Sequence, residues 1–497
     1  MKKKLISIFI YSCSLVLMVN TSCEDFVSGV DEFDPTQPRD ASLGQVITSA
    51  EIGIIAFAEG DLARLAGLFT DQFTGVDRQY VSLNQYTTTS GDYDSQWDNI
   101  YTTVLKSLRI ARSKAEKTSN LSTKGLTQIL EAYVMGMTAA SFGDIPFTQA
   151  ANISEFPNPA YDSQADVYKG VLAMLDEAIA NIQGSPAGFA GDIFGGDNDA
   201  WIARANTLKA KFLLHLDRYP EALAAAQQGI SDDSQDMLAP HGTSYNADFN
   251  IYYSFLVYDR PGYMSAADGL APRLLDPSAA LTRNNAKTDE GARFDYSFIT
   301  DENYAVGYEP NYYSMFDWGA PDGYFGTNTS FPIVSYRENQ LILAEAQLRV
   351  NGFNNALDAL NDYRAYMEDG GYINPEYIDA NNLMYEPYVA ADFAPAGGIL
   401  NPAGIENPDG ISAESALYRE IIEEKYVSLL GTLEVFNDMR RNGYGVFATQ
   451  QNWQVIGVTP NTGSTIPQRF LIPQTEINSN TSTPTPPGLF DKTEVFK

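Results

Sequence analysis

The chain of 497 residues carries 63 acidic against 32 basic side chains, a formal charge of −31, with 44% apolar and 19% charged residues. Such a surface repels nucleic acid and anionic lipid, while the apolar fraction is that of a globular protein with ample chain for a large core. Two histidines and two cysteines leave little material for a histidine-based zinc site or a Ser-His-Asp triad, and HExxH, GxSxG and GxxxxGK[ST] are all absent.

The N-terminus has the order of an export signal. Lys2, Lys3 and Lys4 precede an apolar run from Leu5 to Val19, which is shorter than the roughly 20 residues a bilayer requires. Residues 1–22 are therefore expected to be a signal peptide, with Cys23 as the first mature residue and the lipid-bearing side chain. Removing 1–22 takes away three lysines and no acid, so the mature charge is about −34. Cys13 leaves with the signal, so the mature chain has no internal disulfide and depends on packing.

Helical periodicity dominates both flanks. Trp97, Ile100, Tyr101, Val104, Leu105, Leu108 and Ala111 recur at three and four, as do Leu126, Ile129, Leu130, Tyr133, Val134 and Met137. Gly143 and Pro146 of "FGDIPF" end the second stripe. A third helix is expected over about 163–182. Residues 201–230 read as a helix pair joined at Tyr219-Pro220, residues 336–367 as a pair joined at Gly352, and 413–440 as a last helical region. Pairs of about 30 residues approach the 34-residue tetratricopeptide unit, in which stacked pairs bury the faces that single helices cannot. The helical scaffold is thus placed at about 41–235, 333–368 and 413–443, with a polar tail at 478–497.

Residues 240–335 lack a sustained period and hold eleven of the thirty tyrosines. Long irregular segments inside globular chains are usually functional or disordered, and aromatic content argues against disorder. Sugar recognition needs a flat apolar face and hydrogen-bonding groups, and tyrosine supplies both. Two loops qualify: 74–94, with Asp77, Arg78, Tyr80, Asn84, Tyr86 and Tyr93, and 304–325, with Tyr308, Tyr312, Tyr313, Asp317, Trp318 and Tyr324. These loops are expected to converge at the mouth of the scaffold, with Trp318 central and Arg78, Asn84 and Asp317 reading polar groups. Trp97, by contrast, heads an apolar stripe and is expected in the core. Arg337 and Glu345 are read as part of a satisfied helix network, Arg440 and Arg441 as helix C-terminal charges before the stop Gly443. "GGDNDA" (195–200) lacks the spacing of an EF-hand and is read as a solvated turn. No cofactor or metal is expected.

In order along the chain stand Cys23, "WDNIYTTVLKSLRIA", "FGDIPF", "ANTLKAKFLLHL", "YRENQLILAEAQLR", "EEKYVSLLGTLEVFNDMRRNG" and "RFLIPQTEINSN". This succession resembles the SusD/RagB family over residues 23–480. The resemblance implies a mostly α fold: a right-handed superhelix of tetratricopeptide-like pairs with a large loop-rich insertion, one domain over 23–497. It also implies an outer-membrane, surface-exposed lipoprotein of the Bacteroidota that partners a SusC-like TonB-dependent transporter and delivers oligosaccharides to it, or peptides in RagB-like members. Glu24 and Asp25 after Cys23 look like the surface-export signal of such lipoproteins. A non-enzymatic binder is expected; the alternative is a carboxylate-pair glycosidase, for which 63 acids allow many pairs.

Overall fold

In the computed structural model the described residues are 41–185, 188–300, 307–397 and 403–496. The expected signal 1–22 and lipid-bearing Cys23 lie outside them. Ser42 opens α1 (Leu43–Glu59) with a reciprocal capping box to Gln45, which satisfies two of the donors a helix start leaves free. Gly60 then turns the chain into α2 (Asp61–Phe69), where a Cβ would stand 2.1 Å from the Ala56 carbonyl oxygen.

The Trp97 stripe is helical but not uniformly α. It runs through Asp94–Asp98, a π-helical stretch Asn99–Leu105 and α3 (Lys106–Lys117). The widened turn lets Asn99 donate to the Gly53 carbonyl at 2.9 Å while Val104 packs against the bare face of Gly53. After α4 (Leu121–Phe142) and α5 (Gln164–Gln183) come α6 (Asn198–His215) and α7 (Tyr219–Ala226), with Pro220 in the first turn of α7. The second expected pair is α8 (Tyr336–Asn351) and α9 (Phe353–Glu368), separated by Gly352 at φ 80°, a conformation that glycine adopts without strain. Helices pack as α4 on α5, α6 on α7 and α8 on α9, with α7 against α8 joining successive pairs. The fold is mostly helical, as the periodicity predicts.

The last helical region differs from expectation. It splits into α10 (Ala413–Ser428) and α11 (Glu434–Arg440) around Gly431, whose N–H donates to Gln72 Oε1 and whose carbonyl accepts from the Tyr252 hydroxyl. The break therefore fastens the irregular region to the scaffold. Arg440 and Arg441 are also more than helix-end charges: both are buried. Arg440 donates to the Gln468 and Ala140 carbonyls, and Arg441 grips Glu345 and Asp438. Arg337 and Glu345 belong to separate networks, because Arg337 lies over Tyr372 at 4.0 Å whereas Glu345 meets Arg441 and Lys425.

Residues 240–335 are ordered where described, through short strands and buried rings. Thr74–Gly75 pairs with Met264–Ser265, Met237–Ala239 with Phe331–Val334, and Phe298–Thr300 with Tyr308–Pro310. Tyr252, Phe325, Phe331 and Phe73 form one aromatic cluster beneath them. Arg283 and Arg293, fully buried among Glu290, Glu420 and Glu424, tie the region to α10. The tail is less polar in effect than in composition: Leu489 and Phe496 are buried, and Phe496 packs edge-on to His215 at 5.4 Å.

Candidate functional site: an aromatic surface beside a charged cleft

The segment 311–323 is a compact loop. Its backbone is fixed by Trp318 N–H to Ser314 O (2.8 Å), Gly323 N–H to Tyr313 O (2.9 Å), and Tyr313 N–H to Asn311 Oδ1 (3.0 Å). Gly319, at φ 62°, lets the chain turn back directly after Trp318. The loop thus pushes its apolar rings outward: Trp318 is 53% exposed, Phe316 56% and Met315 55%. Tyr312, Tyr313 and Trp318 lie with ring centres 5.9–6.3 Å apart. Phe316 reaches Phe249 at 6.1 Å, and Phe249 continues to Tyr245 and Tyr258, which pack on each other at 4.7 Å. Two ring groups thus stand at one loop, Tyr312, Tyr313 and Trp318 on one side and Phe316 with the buried Phe249 on the other, and such rings offer the flat apolar faces that ligand stacking uses.

Asp317 holds the two halves together. Its Oδ2 accepts hydrogen bonds from the hydroxyls of both Tyr253 and Tyr258, the latter at 3.0 Å. Tyr258 stands on the π-helical turn Ser254–Asp259. The same turn and the Arg260 that ends it send Phe255, Asp259 and Arg260 into a cleft of about 700 Å³, whose other walls include Asp61, Arg64, Tyr80 and Asp92. Arg64 lies 4.3 Å above Phe255, donates from Nε to the Tyr80 hydroxyl at 3.2 Å and pairs with Asp61. Burial pushes the Tyr80 phenol above its ordinary range, with Arg64 opposing. The cleft is therefore charged in both signs, whereas the neighbouring surface is aromatic.

The expected site residues divide sharply. Tyr312, Tyr313, Trp318 and Asp317 come together as described. Tyr80, Tyr86, Tyr93 and Tyr324 are core residues, contrary to expectation. Tyr80 contributes only to the base of the cleft, its ring covered by Phe255 and Tyr263. Tyr86 packs edge-on to Phe69 and accepts from Asn461 N–H, Tyr93 is enclosed by Phe142 and Phe470, and Tyr324 accepts from Arg337. Tyr308 is half-buried and donates to Asp276 at 2.6 Å. Asn84 accepts from Gly75 N–H and Asn461 Nδ2, so it braces its loop. Asp77 and Arg78 are exposed and paired with each other at 3.4 Å, with Arg78 over Tyr263. The two loops, expected to converge at the mouth of the scaffold, both pack on 249–266, through the pairing of 74–75 with 264–265 and Ala266 N–H to Tyr308 O (2.9 Å). The stretch 245–258 supplies Tyr245, Phe249 and Tyr258, which sequence reasoning passed over. Their signal was the aromatic density of "YNADFNIYYSFLVY" (245–258).

His215 lies inside the scaffold, with Tyr168 on Nδ1 (2.8 Å) and Glu434 on Nε2 (2.7 Å). In "GGDNDA", Asp197 accepts from Ala200 N–H and caps α6. Among the described residues no three His, Cys, Asp or Glu side chains are grouped so as to hold a metal ion, and no helix is long and apolar enough to cross a membrane.

Residues 35–473 match the family described as "Starch-binding associating with outer membrane", and the chain belongs to this SusD-like family. No curated protein matches. Similar solved structures include a SusD/RagB family protein from Bacteroides thetaiotaomicron, at 19% identity and TM-score 0.59, covering 89% of this chain and 95% of that one. A SusD homologue from Bacteroides uniformis has 15% identity and TM-score 0.61, with coverages of 92% and 100%. A chitin-binding SusD homologue from Flavobacterium johnsoniae has 17% identity and TM-score 0.58, with coverages of 88% and 94%. At these identities the likeness concerns the fold.

Proposed function

We propose that the protein is a surface lipoprotein of the outer membrane, anchored through Cys23, that binds oligosaccharides on the Trp318 surface and passes them to a SusC-like TonB-dependent transporter. It acts as a binder, not an enzyme. The observation that carries the reading is the exposed ring set Tyr313, Trp318, Phe316 and Tyr258, fixed by Asp317, because pyranose rings stack on such faces through their C–H sides. The family's description and the chitin-binding homologue support a glycan ligand. A peptide ligand is the second reading, favoured by the cleft, which Asp61, Asp92 and Asp259 line together with Arg64 and Arg260, so that charges of both signs are available to the two chain ends.

Calorimetry with chito-oligosaccharides, malto-oligosaccharides and mixed peptides separates the two. A glycan that binds wild type and loses affinity in Trp318→Ala supports the first reading. Peptide binding insensitive to Trp318→Ala but lost in Arg260→Ala supports the second. Cys23→Ala should release the protein from membranes, and wild type should co-purify with the transporter from solubilised outer membranes; a wild-type protein that remains unlabelled by fatty acid removes the anchor.

A further inference from the structure

Three sequence motifs have so far only a scaffold role: those around Trp97, "FGDIPF" and "RFLIPQTEINSN". Their chain segments meet in a groove of about 520 Å³, which shares no residue with the aromatic surface or the cleft. Its apolar walls are Tyr101, Pro146, Pro157, Pro159, Ile153 and an edge of Trp97, and the exposed Asp98 and Lys106 line it as well. Ile153, at 77%, is the most exposed large hydrophobic side chain among the described residues.

At one end stands Glu476. Its Oε1 accepts from Asn480 Nδ2 at 2.8 Å and from the Tyr161 hydroxyl at 3.3 Å, and its Oε2 accepts from Trp97 Nε1 at 3.4 Å. Three neutral donors from three separate chain segments thus orient one carboxylate. No lysine or arginine stands within ion-pair distance of it among the described residues, although most buried carboxylates here have such a partner. Two of the polar groups of the walls are used internally: Tyr101 donates to Pro146 O, and Asn480 donates to Pro159 O as well as to Glu476. What the groove leaves open is apolar surface, two carboxylates, one of them the oriented Glu476, and the single ammonium of Lys106, so acid outnumbers base. That combination suits a cation on an apolar stem, to which the Trp97 and Tyr101 rings add cation–π attraction. The volume is that of a ligand site rather than of a single ammonium group, and Ile153 carries the apolar surface beyond the groove, where only a longer chain would cover it.

We propose that this groove docks a polypeptide segment of a partner protein through a lysine or arginine flanked by apolar residues, the cation meeting Glu476 and the flanks covering the prolines and Ile153.

The test uses the full mature protein and the capped peptide Ac-Leu-Pro-Arg-Leu-Pro-NH2, with a control in which glutamine replaces arginine. The arginine peptide should bind about tenfold more tightly than the control and should shift the indole N–H resonance of Trp97. Glu476→Gln should abolish that preference. Ile153→Ser, altering an exposed side chain, should weaken both peptides several-fold at an unchanged melting temperature, and Trp318→Ala should leave peptide binding as it was. If Glu476→Gln does not fold, the wild-type arginine preference and the effect of Ile153→Ser decide. No binding, equal binding of the two peptides, or indifference to Ile153→Ser overturns the proposal. Butylguanidinium binding as tightly as the peptide also overturns it, since a small organic cation would then be the occupant.

Discussion

The carboxylate of Asp317, on an exposed loop, accepts hydrogen bonds from Tyr253, which is fully buried, and from Tyr258, which is not. One acid thereby connects the core, the π-helical turn and the outward rings, and it fixes where the loop can sit. Asp317→Ala should cost about 1–2 kcal/mol of stability, because the buried Tyr253 hydroxyl loses its acceptor, and ligand affinity should fall with it. Urea unfolding beside calorimetry checks both; unchanged stability would mean that the loop is held by its backbone alone.

Trp318 and Trp97 should behave in opposite ways. Trp318 is half exposed, whereas Trp97 is 95% covered, between Tyr101 (4.7 Å) and Phe142 (5.3 Å). Trp318→Ala should weaken ligand binding by about 2 kcal/mol, roughly thirtyfold, with stability nearly unchanged. Trp97→Ala should cost about 3–5 kcal/mol of folding free energy. A sharp drop in melting temperature for Trp318→Ala, with affinity intact, would move the binding site elsewhere.

Glu345 joins α8 to α10 and α11 through Lys425 and Arg441, with all three side chains buried. Removing the acid takes away one of the two carboxylates these cations share and leaves both buried charges on Asp438 alone. Glu345→Ala should therefore destabilise by about 3–5 kcal/mol, and Glu345→Met, which better preserves volume, should not recover the loss. Thermal melts of the two variants test this.

Stability should fall as pH rises from mildly acidic to mildly alkaline. Burial pushes Glu51 from 4.5 up to about 9, with nearby Asp192 adding to the rise, and it lifts Asp71 and Asp236 to about 7. The folded state then holds protons that the unfolded chain has released, so these groups contribute most below their ordinary values and lose that contribution as pH passes their folded ones. Glu434 acts in the opposite sense: His215 and Lys211 overcome its burial and hold it down at about 2, so its contribution is present above 4.5 and lost in strong acid. Melting temperature should peak near pH 5 and decline toward pH 9. Glu51→Gln should flatten the alkaline side of that curve; an unchanged slope would show that Glu51 ionises freely.

The helices were legible because burying an amphipathic face imposes a period on the sequence. Tyr219-Pro220 and Gly352 marked the joints of the two helix pairs through proline and glycine chemistry that is local to the chain. The placement of Trp97 in the core and of Trp318 on the surface followed from the same distinction between a stripe and an irregular loop. The loop tyrosines did not yield to that reasoning, since a tyrosine's sequence neighbours do not say which of its two faces will be covered. Tyr86 and Tyr93 are buried by Phe69, Phe142 and Phe470, the last nearly four hundred residues away in the chain. Tyr245 and Tyr258 are exposed because Asp317, some sixty residues on, holds the 311–323 loop beside them without covering them. The sequence by itself determined the scaffold and the supply of rings; only the tertiary packing, by bringing distant segments over some rings and leaving others bare, decided which of them can meet a ligand.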